Sequence, residues 1–154
     1  MALEIERRFL IKNDNWKEFI TKKTVIEQGY LSRSLDDWII RIRCTGKDFK
    51  IALKKHIASF TNFEFEYSIP QKDGETIMSN LSNTIKKDRF FLEIEKESWI
   101  IDCFKENNYP LEIAEIELSN EKEDINLPSF ISKEITGLKH YSNFNLANKP
   151  FSKW

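Results

Sequence analysis

The chain has 154 residues, 40% hydrophobic and 32% charged, with 24 Lys and Arg against 25 Asp and Glu for a net charge of -1. That length suffices for one core built without disulfide or metal staples, and the charge balance gives no global pull toward nucleic acid or membrane. Cys44 and Cys103 form no CxxC pattern and read as reduced thiols, the start Met1-Ala2-Leu3-Glu4 has no signal-peptide pattern, and no apolar run nears the ~20 residues of a membrane span, so a soluble cytoplasmic protein is expected.

In chain order, residues 3–10 alternate as a first strand, with Glu4, Glu6 and Arg8 on one side and Ile5, Arg7 and Phe9 on the other. Asn13-Asp14-Asn15 reads as an N-cap ahead of a short helix over 16–20 with an apolar face. Strands follow at 23–32, 37–45 and 48–55, the last two joined at Gly46-Lys47, a tight-turn signal. A strand over 62–69 stops at Pro70, and Ile77, Met78 and Leu81 at helical spacing predict a helix over 72–83. Three more strands, 84–94, 97–105 and 111–119, precede an acidic turn and a short C-terminal segment containing Leu127-Pro128. Eight strands with mostly short connections predict a mainly β (α+β) fold, a single domain over 1–154 whose antiparallel meander curls or closes, with helices outside it or at its ends.

The charges on these strands are sorted by sign. Glu-x-Glu occurs at Glu4/Glu6, Glu64/Glu66 and Glu115/Glu117, whereas Arg41/Arg43, Lys54 and Lys87/Arg89 bring bases on other strands, and Asp102 stands between Ile101 and Cys103. A half-exposed sheet with its charges in water fits simple alternation. Sorting argues for the other solution, a closed barrel with a charged interior, because like charges at i and i+2 on one solvated face repel. Seven carboxylates enclosed together would raise one another's pKa and bind protons unless cations joined them, and hard divalent ions, Mg²⁺ or Mn²⁺, suit oxygen ligands. Fixed Arg and Lys residues call for an anion, and the planar fork of Arg suits phosphate oxygens. A cavity with both sets fits a polyphosphate, with metal-assisted phosphoryl transfer or hydrolysis as its chemistry.

Glu4-Ile5-Glu6-Arg7-Arg8 resembles the N-terminal ExExK signature of the CYTH superfamily, the triphosphate tunnel metalloenzymes. Gln28-Gly29-Tyr30-Leu31, Arg41-Ile42-Arg43, Leu53-Lys54, Glu64-Phe65-Glu66, Lys87-Asp88-Arg89, Asp102, Glu115-Ile116-Glu117 and Lys139-His140-Tyr141-Ser142-Asn143 follow in the family's order. The resemblance implies an eight-stranded closed antiparallel barrel that binds a triphosphate with divalent metal. It implies metal ligands at Glu4, Glu6, Glu115 and Glu117, with Asp102 and Glu66 near a second metal or the attacking water and Glu64 on the same wall. Arg8, Arg41, Arg43, Lys54, Lys87, Arg89 and Lys139 resemble the phosphate-holding bases, and Lys87 joins Asp102 and Glu66 as a catalytic candidate. Arg8 replaces the signature's lysine, and Tyr141-Ser142-Asn143 departs from a frequent Tyr-Lys-Asn.

The implied activity is hydrolysis of triphosphates, inorganic tripolyphosphate first and nucleoside or thiamine triphosphate besides. A class IV-type adenylate cyclase and a non-catalytic polyphosphate- or nucleotide-binding module are the alternatives. The expected partner is a small-molecule triphosphate, not nucleic acid or membrane, and a homodimer is left open. His56 reads as a solvated loop residue, and His56 and His140 lack the spacing of a zinc site.

Overall fold

Period-two alternation makes the chain run as strands, and the computed structural model, which describes residues 2–154, contains nine. They are β1 (Leu3–Ile11), β2 (Ile20–Tyr30), β3 (Ile39–Thr45), β4 (Asp48–Ala58), β5 (Thr61–Ile69), β6 (Thr84–Ile94), β7 (Glu97–Phe104), β8 (Glu112–Glu117) and β9 (Ile131–Glu134). Every pairing is antiparallel, and the order β5-β4-β3-β2-β6-β7-β8-β1 closes on itself through β5 and β1. The first eight strands form the expected barrel.

β1 is the seam. Leu3 to Ile5 pair with β5, Glu6 to Leu10 with β8, and Phe9 and Ile11 with β9. The short β9 was not expected, because Ile131-Ser132-Lys133-Glu134 offers only four residues of pattern. It is held from both ends, where Lys12 N–H donates to the Phe130 carbonyl and Ile135 N–H to the Arg8 carbonyl.

Helices are few. The expected helix over 16–20 is a 3-10 turn, Asn15–Phe19, that buries Trp16. Helix α1 (Gln71–Ser79) ends before Leu81 and rests on β3 and β4, with Gly74 against the Phe49 ring. Helix α2 (Asn143–Asn148) was not expected, since three of its six residues are Asn; Ser142 caps it by accepting from Asn145 N–H at 3.1 Å. No helix among the described residues is long and apolar enough to cross a membrane.

Two apolar clusters hold this frame. Outward-facing Phe9, Leu92, Trp99, Ile101, Ala114 and Ile116 are covered by Trp16, Phe130 and Ile131. Each large side chain so buried contributes roughly 1.5–3 kcal/mol. The second cluster lies inside the barrel: Ile85, Phe104 and Ile113 share the parity of Lys87, Asp102 and Glu115 and meet Leu146 of α2 and Ile135. The interior is therefore charged along most of its length, with an apolar plug packed against Leu146 of α2.

Candidate functional site

Register decides which charges face each other inside the barrel. Arg8 stands opposite Glu115, Lys54 opposite Glu64, and Arg89 opposite Asp102, three cross-strand pairs of opposite sign. Glu6 stands opposite Glu117, a like-charge pair that is unfavourable without a cation.

The tightest knot is central. Asp102, fully buried, accepts from Lys87 Nζ at 2.7 Å and from Arg89 Nε and Nη2 at 2.8 and 2.9 Å. Burial works against its charge, but Lys87 and Arg89 hold its carboxyl well below the usual carboxylate range. Lys87, equally buried, also donates to Asn143 Oδ1 at 3.0 Å; burial, with help from Arg89 and Arg43, pushes its ammonium down to about 7 against the pull of Asp102.

On the β3 wall the bases outnumber their partners, and Arg8 of β1 has a donor to spare as well. Among the described residues Arg43 has no carboxylate ion-pair partner: its Nε donates to Gln28 Oε1 at 2.9 Å, and burial followed by Arg41 and Arg89 lowers its pKa to about 10. Arg41 reaches Glu66 at 3.0 Å and Glu64 at 3.7 Å, yet its Nε is buried with no acceptor. Arg8 donates to Glu115 at 3.2 Å and to the Tyr141 carbonyl at 3.0 Å, leaving Nη2 buried and unused. Buried guanidinium donors with nothing to bind call for an anion.

The facing wall is acidic. The Lys54 ammonium contacts Glu4 and lies 3.7 Å from Glu6 and 4.0 Å from Glu64, whose buried Oε2 has no hydrogen-bond donor. Burial, then repulsion from Glu115 and Glu4, raises Glu6 to about 7, and burial also raises Glu4 and Glu117. Among the described residues no three acidic, histidine or cysteine side chains gather closely enough to hold an ion as they stand, because protein cations sit between them. The oxygen-only donors, the Glu6/Glu117 apposition and the cation already drawn among three carboxylates nevertheless fit a hard divalent ion.

The bore widens at both ends. A cavity of about 450 Å³ beside α2 is lined by Glu6, Arg8, Tyr30, Arg41, Lys54 and Asn143, among others. A second, of about 270 Å³, opens at the far end between Lys22, Arg43, Lys50, Glu66 and Arg89.

Comparisons with known proteins agree with this architecture. The chain is 31% identical over 156 residues to the inorganic triphosphatase of Acetivibrio thermocellus, covering 100% of this chain and 99% of that one. The chain belongs to the CYTH superfamily. The crystal structure of the inorganic triphosphatase NE1496 is 26% identical over 96% of this chain and 95% of its own, with a TM-score of 0.69. A Hippeastrum protein reported with a dominant triphosphatase activity shares the fold at 13% identity and a TM-score of 0.58, over 78% of this chain and 80% of its own. No family model matches the chain.

Of the CYTH site residues expected from sequence, Glu4, Glu6, Arg8, Arg41, Arg43, Lys54, Glu64, Glu66, Lys87, Arg89, Asp102 and Glu115 converge on the bore through the contacts above. Glu117 is largely exposed at the β8 end of the acidic wall. Lys139 lines the wider mouth, three-quarters exposed, and pairs with Asp36 at 3.3 Å. His56 lies on β4 rather than in a loop, at the same mouth. Three participants were missed: Gln28 and Tyr30, both buried and hydrogen-bonded to each other at 2.7 Å, and Asn143. Parity along β2 and the Gln28-Gly29-Tyr30-Leu31 segment point at the first two; Asn143 lies in the 139–143 segment of the resemblance, which gave it no role.

Proposed function

We propose that the chain is a divalent-metal-dependent triphosphatase acting on inorganic tripolyphosphate, with nucleoside and thiamine triphosphates as further substrates. The observation that carries this reading is Arg43, which faces Arg41 and Arg89 without a carboxylate ion-pair partner among the described residues, in the same bore as the apposed Glu6 and Glu117. A linear polyanion bridged to the acidic wall by metal satisfies both sides at once. The inorganic triphosphatase named among its relatives supports the same substrate class.

Glu4, Glu6, Glu64 and Glu117 would hold Mg²⁺ or Mn²⁺, and Glu115 stands beside them. Bound there, the ion supplies charge neutralisation for phosphate oxygens. Arg8, Arg41, Arg43 and Arg89 fix the phosphates in line, with Lys139 at the entrance. Water attacks the terminal phosphorus, the bridging P–O bond breaks, and orthophosphate and pyrophosphate result. Glu66 accepts the proton of the attacking water, and the Lys87 ammonium, donating to Asp102 and Asn143, fixes the charge behind it. Both oxygens of Asp102 are occupied, so its role is to hold Lys87 and Arg89 in place. We take the chain to work as one tunnel domain over 1–154 in the cytoplasm, a compartment that suits its free Cys44 and Cys103.

The test is phosphate release from tripolyphosphate, ATP and thiamine triphosphate with Mg²⁺ or Mn²⁺. Release from tripolyphosphate supports the reading. Binding without release makes the chain a polyphosphate module, and cyclic AMP from ATP makes it a cyclase.

A further inference from the structure

Lys54 was expected to clamp phosphate, yet its ammonium is turned to the other wall. It contacts Glu4, lies 3.7 Å from Glu6 and 4.0 Å from Glu64, and has no other ion-pair partner among the described residues. Two of those carboxylates are on β1 and the third lies directly across the β4–β5 ladder, so the fold itself gathers them on this nitrogen. The ammonium thus stands where the proposed function puts the divalent ion. An ammonium and a dication compete for the same oxygens of Glu4, Glu6 and Glu64, and each oxygen the ammonium holds is withheld from the coordination sphere of the ion.

We infer that Lys54 is a resident cation of the metal site, displaced when a divalent ion binds and then turned onto the triphosphate. The inference rests on the metal assignment above and adds a coupling that the assignment lacks. In the empty tunnel Lys54 compensates Glu4, Glu6 and Glu64 and keeps the acidic wall folded without metal. An entering ion must expel it. The freed ammonium, on a four-carbon stem in the wider mouth beside Arg8 and Arg41, then adds one positive charge to the phosphate wall. Metal therefore improves triphosphate binding, and triphosphate, by drawing Lys54 away, improves metal binding by the same factor. The device also disfavours metal in the empty tunnel.

The experiment is Mn²⁺ binding to the phosphate-free protein at pH 8, read from the electron paramagnetic resonance signal of free Mn²⁺. Wild type, Lys54→Met, Lys54→Arg and Glu6→Gln are compared. Lys54→Met keeps the stem and removes the competitor, so it should bind Mn²⁺ on the order of 10-fold more tightly than wild type, within the range typical of coupled sites. Lys54→Arg keeps a competing cation and should stay near wild type; Glu6→Gln should lose binding. Equal or weaker Mn²⁺ affinity in Lys54→Met, with Glu6→Gln still defective, overturns the displacement and leaves the metal site standing. No Mn²⁺ binding in any of the four proteins overturns both readings. Should Lys54→Met not fold, crystals of wild type grown with Mn²⁺ decide: the ammonium off Glu4 supports the inference, and the ammonium still on Glu4 beside a bound ion refutes it.

Discussion

Replacing Asp102 by Asn removes the one negative charge that two buried cations share. Asp102 accepts three charge-assisted bonds, at 2.7, 2.8 and 2.9 Å, and is 0% exposed. Such bonds contribute roughly 1.5–3 kcal/mol each, so their loss together approaches roughly 5–9 kcal/mol. Asn keeps one acceptor oxygen, and Arg89 keeps Glu115 at 3.7 Å. Lys87, already pushed down to about 7, can shed its proton, but Arg89 cannot. The net cost is therefore that of breaking a buried pair, about 3–5 kcal/mol. At roughly 2–4 °C per kcal/mol for a chain of this size, Asp102→Asn should lower Tm by about 6–20 °C in a calorimetric scan, and kcat should fall with it. A variant that melts within about 2 °C of the parent would refute the claim that this carboxylate anchors the bore.

Arg43 behaves oppositely, because it repels Arg41 and Arg89 and is offset by its bond to Gln28 and, more weakly, by the charge of Asp102. Arg43→Met should raise KM for tripolyphosphate about 10–100-fold while leaving Tm unchanged or higher; a fall in Tm with unaltered KM would show Arg43 to be structural. Gly74→Ala puts a methyl 2.2 Å from Phe49 Cγ, so it should cost about 1–3 kcal/mol in denaturant unfolding, where helix propensity alone predicts a gain of about 1 kcal/mol. Glu6, raised to about 7 in the fold against 4.5 when free, costs the folded state stability above that lower value, fully so above pH 7. Glu6→Gln should accordingly raise the Tm of metal-free protein at pH 8, the gain vanishing below about pH 4.5, while turnover is lost; a lower Tm at pH 8 would contradict the burial of this carboxylate.

The barrel was legible because its two faces differ in charge at every second residue. Glu4/Glu6/Arg8 and Arg41/Arg43 turn inward as their parity requires, and the eight strands follow. What parity does not carry is which acid meets which base. That depends on register: Arg89 falls opposite Asp102 and Lys54 opposite Glu64, so that two expected roles, Asp102 as a free acid and Lys54 as a phosphate clamp, meet occupied geometry. The plug was illegible for another reason. Ile85, Phe104 and Ile113 sit on charged faces, and only the return of Ile135 and Leu146 to that end of the barrel makes an apolar interior there favourable. Asn143 reaches Lys87 across 56 residues of chain, a separation that no local pattern records.

The central claim is that this bore hydrolyses a linear triphosphate with the help of a divalent ion on its acidic wall. Phosphorus-31 NMR of tripolyphosphate mixed with the protein tests it most directly. With Mg²⁺ or Mn²⁺ the internal-phosphate resonance should disappear as orthophosphate and pyrophosphate grow in equal amounts, and excess EDTA should stop the reaction. Tripolyphosphate left intact with either metal, or hydrolysed equally fast in EDTA, would contradict the account.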